Sequence, residues 1–321
     1  MNRKKRIALT IVIAVIVSGF SVEAVFGDYS NLAEAPVSWE ERVISDGGPD
    51  KIVQLFVTGV IAGQSSSPGS PPMNEVLAEQ LRRIEEDERV LAVVLRIDSP
   101  GGEVVATDEI HQRLLQMKAK RNIPLVISMG STAASGGYYL ATAGDAIFAN
   151  RNTITGSLGV IFTLVNYAET AARFGVKEYV IKSGRFKDIG SPVRPLSEEE
   201  RAIFQRLVNE SYENFVTVIS KGRKMSRERV REIADGRVYS GRQAKELGLI
   251  DAFGDLDTAT DHALALSRVR EATIVRYSEA FSWSNLLFSM QKYWASDDPF
   301  GLQRLFDREA APKLLYQYLP R

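Results

Sequence analysis

One stretch restricts what this chain can fold into more than any other: Gly130-Ser131-Thr132-Ala133-Ala134-Ser135-Gly136-Gly137-Tyr138-Tyr139. The apolar run 124–129 leads into it and reads as a buried strand. Residues 138–143 follow with helical composition. A strand therefore runs into a small-residue turn, and the turn opens a helix. A serine at such a place presents its hydroxyl beside unpaired backbone N–H groups, which suits a nucleophile that must stabilise an oxyanion. It equally suits a plain helix N-cap with glycines that permit a tight turn. The stretch alone leaves both readings of Ser135 open.

Composition narrows what could activate it. The 321 residues contain no cysteine and only two histidines. That excludes disulfides, thiolate catalysis and Cys-ligated zinc, and argues against a multi-histidine metal site. No cofactor is expected. His111 and His262 both lie in charged, helical surroundings and read as surface or half-buried helix residues. If Ser135 is a nucleophile, its base is something other than histidine. Forty basic residues balance forty acidic ones, so nothing points to nucleic acid.

The N-terminus carries Arg3, Lys4, Lys5 and Arg6, followed by an apolar reach of about 20 residues, close to the length that spans a bilayer. The basic flank places the N-terminus in the cytoplasm and the bulk of the chain outside. With no clean Ala-x-Ala site after the run, residues 1–27 read as a retained stub and transmembrane anchor rather than a cleaved signal peptide. Residues 28–50 read as a polar linker, 51–275 as the catalytic domain, and 276–321 as a tail that makes an oligomer contact or is flexible. The tail holds Trp283 and Trp294.

Within the domain, strands are expected at 51–61, 90–98, 124–129, 145–149, 177–182 and 272–277. Helices are expected at 73–87, 103–120, 166–174, 197–220, 226–234 and 256–268. Ser197 followed by Glu200 predicts a capping box at the start of the longest helix. Alternating strands and helices imply βαβ units and a mostly parallel sheet. The turn Ser99-Pro100-Gly101-Gly102 also follows a strand, so it belongs at the same sheet edge as Ser135. A bare backbone N–H there can complete an oxyanion hole; a turn requiring positive φ explains the same glycines.

Four motifs stand in order: Asp98-Ser99-Pro100-Gly101-Gly102, the Gly130–Tyr139 stretch, Thr155-Gly156-Ser157-Leu158-Gly159, and Phe186-Lys187-Asp188-Ile189-Gly190-Ser191-Pro192. Behind an N-terminal anchor, this set resembles the signal peptide peptidase A family (SppA, or protease IV) in its short, single-copy bacterial form. The resemblance covers about residues 50–270. It implies a crotonase/Clp-protease-like βαβ superhelix, an α/β fold with a mostly parallel sheet behind one transmembrane helix. It also implies a serine–lysine dyad, with Ser135 as nucleophile, Lys187 as general base and Ser157 orienting the lysine. The N–H groups of Gly102 and Gly136 would form the oxyanion hole. Lysine ordinarily titrates near 10.4, so Lys187 has to be desolvated to act as a base near neutral pH, and the neighbouring Asp188 carboxylate must turn away from it. The resemblance further implies a homo-oligomer, an octamer in the short form, whose dyad is shared between protomers. The expected substrates are cleaved signal peptides and other unfolded apolar segments at the membrane. A crotonase-type acyl-CoA enzyme and a non-catalytic membrane scaffold are the alternatives; the exported topology argues against the first, and the intact Ser135 and Lys187 against the second.

Overall fold

The computed structural model describes residues 39–64, 71–279 and 314–318. The expected anchor at 1–27, the start of the linker, and Trp283 and Trp294 lie outside these residues. No helix among the described residues is long and apolar enough to cross a membrane.

The chain opens with β1 (Trp39–Ser45), β2 (Lys51–Thr58), α1 (Met73–Glu86), β3 (Val90–Ser99), β4 (Gly101–Glu103) and α2 (Val104–Arg121). It continues through β5 (Leu125–Ala134), α3 (Gly136–Ala141), β6 (Ala146–Ala149), β7 (Ile154–Gly156), β8 (Ile161–Phe162) and α4 (Ala168–Arg173). Then come α5 (Glu198–Arg223), α6 (Arg227–Ile233), β9 (Val238–Ser240), α7 (Gly241–Glu246), β10 (Ala252–Phe253), α8 (Leu256–Leu266), β11 (Thr273–Glu279) and β12 (Leu314–Gln317).

The main sheet runs β1-β11-β2-β3-β5-β6-β10. Every neighbouring pair along it is parallel except β1 with β11. Residues of β3 alternate between two apolar layers. Val93, Leu95 and Ile97 join Leu77, Leu81, Ile110 and Leu114 beneath α1 and α2. Ala92 and Val94 join Ala259 and Ala263 of α8 on the other face. Helices on both faces explain why β3 reads as a nearly unbroken apolar run, as buried parallel strands do. The α/β, mostly parallel expectation holds.

Two strands depart from the sequence reading in ways that bear on function. The small-residue stretch 130–134 is not yet the turn: β5 continues through it to Ala134. The reason is close packing against the backbone. A Cβ on Gly130 would fall 2.6 Å from the Asp98 carboxyl carbon. The hydroxyls of Thr153 and Thr155 donate to the carbonyls of Gly130 and Ala133 at 2.7 and 2.6 Å. Residues 177–182, expected as a strand, have no regular secondary structure and are exposed. Their apolar side chains, Tyr179 and Ile181 among them, pack on no sheet among the described residues.

Part of the expected linker is also ordered. Residues 39–45 add an antiparallel edge strand to β11, with Trp39 buried and the remaining six residues exposed. The alternation is too weak there for sequence to reveal a strand. The capping box forms as predicted, with Glu200 N–H donating to Ser197 Oγ at 3.2 Å and Ser197 N–H to Glu200 Oε2 at 2.9 Å.

His111 is a correction. It is 4% exposed on the inner face of α2, not a surface residue. Its Nε2 pairs with Thr142 Oγ1 at 3.1 Å, and Nδ1 has no partner among the described residues. The ring meets Tyr139 edge-on at 5.0 Å. Burial pushes its pKa down to about 4, against the pull of Asp108. The unfolded chain therefore binds a proton at a higher pH than the folded one does, and stability falls as pH drops from about 6.5 to about 4. Urea unfolding is expected to give a protein about 2 kcal/mol less stable at pH 5 than at pH 7, with the difference much reduced in His111→Gln. An equal loss in parent and variant would show that His111 is not buried as the neutral imidazole.

Candidate active site

Ser135 stands at the carboxyl end of β5, the point from which α3 begins. Its φ of 53° and ψ of −115° are unusual for a residue with a side chain. Such conformations cost of order 1–3 kcal/mol and persist only when the surroundings over-determine them. The surroundings here do so. Ser135 N–H donates to the Gly156 carbonyl at 2.8 Å, and the Ser135 carbonyl accepts from Tyr139 N–H at 2.9 Å. The residue is fully buried, and its Oγ has no hydrogen-bond partner among the described residues. The hydroxyl does not accept the usual N-cap bond from α3. The N-cap reading of Ser135 therefore lacks its defining interaction, and a buried, unpartnered hydroxyl on a strained turn is what remains.

Ser157 is its neighbour. β5 and β7 run parallel with Ala134 opposite Gly156, so Ser135 and Ser157 are the next residues on the two strands. Both leave their strands with positive φ, 53° and 49°. Ser157 is held by its N–H donating to the Arg237 carbonyl at 2.7 Å, beside the β7–β9 pairing. A positive φ on both serines is something the motifs could not reveal.

The glycine turn is the third part. Gly101 has a φ of +95°, and a Cβ there would collide with the Tyr316 carbonyl and lie 2.6 Å from the Gly136 nitrogen. Only glycine lets the two motifs approach this closely. Gly102 lies in β4, next to Ile61 on one side and opposite Tyr316 on the other. Because the Gly101 carbonyl and the Glu103 N–H are used by Ile61, the alternation of a strand turns the polar groups of Gly102 toward β12. Ser135, Ser157, Gly102 and Gly136 are thus assembled at one end of the sheet, as their positions after strands implied.

Lys187 is not among them. It lies in a stretch, 172–187, in which every residue is exposed. It makes no ion pair among the described residues, and it does not reach the unpartnered Ser135 hydroxyl. The desolvation expected of Lys187 is not supplied within a single chain. Asp188 does turn away from it: its carboxylate takes Lys182 Nζ at 2.5 Å and Arg194 Nε at 3.0 Å.

Sequence reasoning missed the occupant of the slot. β12 pairs antiparallel with β4, Tyr316 opposite Gly102, and with β8, Leu315 opposite Ile161. Tyr318 N–H donates to the Pro100 carbonyl at 2.7 Å. The Tyr316 ring is buried between Tyr139, stacked at 5.2 Å, and Phe215 at 4.7 Å. Its hydroxyl donates to the Ser211 carbonyl at 2.8 Å. The signal in the sequence was the aromatic, apolar character of residues 314–318, which does not specify a partner.

Comparison with known proteins shows the family. Residues 117–270 match peptidase family S49, and residues 60–157 match the Clp protease family. A putative signal peptide peptidase SppA from Enterococcus faecium is 37% identical over 290 residues, spanning 87% of this chain and 84% of the relative. A putative protease from Synechocystis is 42% identical over 217 residues, 68% of this chain and 74% of the relative. Protease 4 of Salmonella typhi is 34% identical over 229 residues, 71% of this chain and 36% of the relative. The peptidase relationship sets aside the acyl-CoA enzyme and the non-catalytic scaffold as alternatives. The chain belongs to peptidase family S49, with the SppA peptidases, and is a serine peptidase.

Proposed function

We propose that this serine peptidase is a membrane-anchored endopeptidase that hydrolyses cleaved signal peptides and other unfolded apolar segments with a Ser135–Lys187 dyad. The observation that carries the reading is the slot itself. An extended segment, 314–318, already lies in it as a strand between β4 and β8, with its backbone against Gly101 and Gly136. A slot that binds by main-chain hydrogen bonds takes extended chain, and folded proteins offer little of it. The aromatic lining of Tyr139 and Phe215 favours apolar or aromatic side chains in the peptide.

In the proposed reaction, Ser135 Oγ attacks the scissile carbonyl carbon while neutral Lys187 Nζ takes the hydroxyl proton. The carbonyl oxygen becomes an oxyanion beside the N–H groups of Gly102 and Gly136. Lys187 then gives its proton to the leaving amine as the C–N bond breaks. Water, deprotonated by Lys187, then adds to the acyl carbon; the bond from that carbon to Ser135 Oγ breaks, the acid is released and Lys187 returns the proton to Ser135 Oγ. Ser157, next to Ser135 across the β5–β7 pair, orients the lysine amine.

The base comes from a second copy of the chain. Lys187 is exposed within its own chain, and the arm that bears it presents Val165, Phe174, Val176, Tyr179 and Ile181 to solvent, each more than 60% exposed. An apolar surface of this kind marks a protein–protein contact. Docking it on a neighbour would bury those side chains and desolvate Lys187 at the neighbour's Ser135. The pairing is heterologous, and a rotation that closes on repetition makes a ring.

Two outcomes test this reading. Ser135→Ala and Lys187→Met are each expected to lose at least about 10³-fold in kcat/KM on a fluorogenic apolar peptide. Unfolded and refolded together in equal amounts, they should recover about a quarter of parental activity, because a Ser135 from one and a Lys187 from the other then meet in some sites. No recovery in co-assembled oligomers would overturn the shared dyad, and a fully active Ser135→Ala would sink the peptidase site. Removing residues 312–321 empties the slot, and the KM for short peptides is expected to fall several-fold. An unchanged KM would show that 314–318 does not compete with substrate.

A further inference from the structure

The proposed base stands next to a carboxylate, and a lysine beside an unneutralised carboxylate stays protonated. The fold deals with that carboxylate through a chain of contacts running into the longest helix. Resting on Lys187 as the general base, we infer that Asp188, Arg194 and Glu200 form a clamp that positions Lys187 and holds the neighbouring carboxylate away from its amine.

The clamp is bidentate at both ends. Arg194 holds Asp188 twice, through Nε to Oδ2 at 3.0 Å and through Nη2 to the backbone carbonyl at 2.8 Å. The same guanidinium holds Glu200 twice, through Nη1 to Oε2 at 2.9 Å and Nη2 to Oε1 at 2.5 Å. Glu200, whose side chain is 4% exposed, is itself fixed by the capping box with Ser197 at the start of α5. The carbonyl gripped by Arg194 belongs to the residue covalently next to Lys187. Successive turns, Lys187 N–H to Gly184 carbonyl and Ile189 N–H to Phe186 carbonyl, both at 3.1 Å, fix the backbone on either side. An exposed loop is thereby tied to the rigid end of a 26-residue helix.

The charges around the clamp fit a role beyond tethering. Asp188 faces two cations, Lys182 and Arg194, which hold its carboxyl near 2. Glu200 faces Arg194 from α5, Glu199 is taken by Arg185, and Glu178 accepts from Ser191 across the same turn. Each carboxylate near the turn has a partner other than Lys187. Freed of Arg194, Asp188 is the carboxylate closest in sequence to the amine and would raise its pKa. A tether alone needs no such neutralisation.

The test is the pH profile of kcat/KM, measured on the full-chain oligomer with the same fluorogenic peptide. Arg194→Met is expected to move the acid limb upward by about one pH unit or more. The double variant Arg194→Met/Asp188→Asn, which removes the released carboxylate, should return the limb to its parental position. Arg194→Lys should keep it there. Where Arg194→Met does not assemble, Lys182→Met gives the same reading without touching Glu200. If the limb stays in place in the single variant, or moves equally in the double one, the clamp is overturned while the base assignment stands. Lys187→Met separates the two ideas: inactivity with the parental fold and oligomer size supports the base, and full activity removes the base and the clamp together.

Discussion

The site hangs on one backbone hydrogen bond, from Ser135 N–H to the Gly156 carbonyl. It is the last rung of the parallel β5–β7 pairing, and it sets two serines side by side as both strands end. The hydroxyls of Thr153, just before β7, and Thr155, within it, bind that edge of β5, so the strand end cannot relax away from its strained turn. The strain at Ser135 is stabilised by this lattice of short contacts. Among the described residues the serine hydroxyl has no partner, and the bonds that hold the residue are made by its backbone.

From that rung outward, the molecule separates a rigid half-site from an exposed one. Ser135, Ser157 and the glycine turn sit on a sheet buried on both faces. Lys187 sits on an arm whose apolar side chains are uncovered. Burying a lysine is costly, and a chain that kept Lys187 permanently desolvated would carry that cost on folding alone. In the proposed assembly, exposure in the single chain and desolvation on docking would divide that cost, with the apolar arm supplying the driving force. The clamp through Arg194 limits what the arm can do in the meantime.

Much of this was legible before any coordinate. The strands at 51–61, 90–98 and 145–149 and the helices around 73–87, 103–120 and 256–268 have the periodicity of buried elements, and they form within a few residues of where that places them. Ser197 and Glu200 announce their capping box by spacing alone. The reading failed where local pattern carries no information about contact. Nothing near His111 distinguishes a buried imidazole from a surface one, because the residues that cover it, Tyr139 and Thr142, come from the following helix and its cap. Residues 177–182 have the composition of a strand, but they pair with no strand among the described residues.

By itself the sequence determined the class of the fold, through strand-and-turn periodicity, and carried four ordered motifs whose family resemblance implies Ser135, Ser157, Gly102, Gly136 and Lys187 as the set to consider. Tertiary structure alone decided how that set divides. It brought four of them to one sheet edge, left Lys187 on an uncovered arm, turned Asp188 toward Arg194, and laid Tyr316 in the slot. Each of those outcomes depends on which distant segments meet, through parallel pairing, a backbone approach that only glycine allows, and charge pairs across a turn. None of them is encoded in the spacing of residues along the chain.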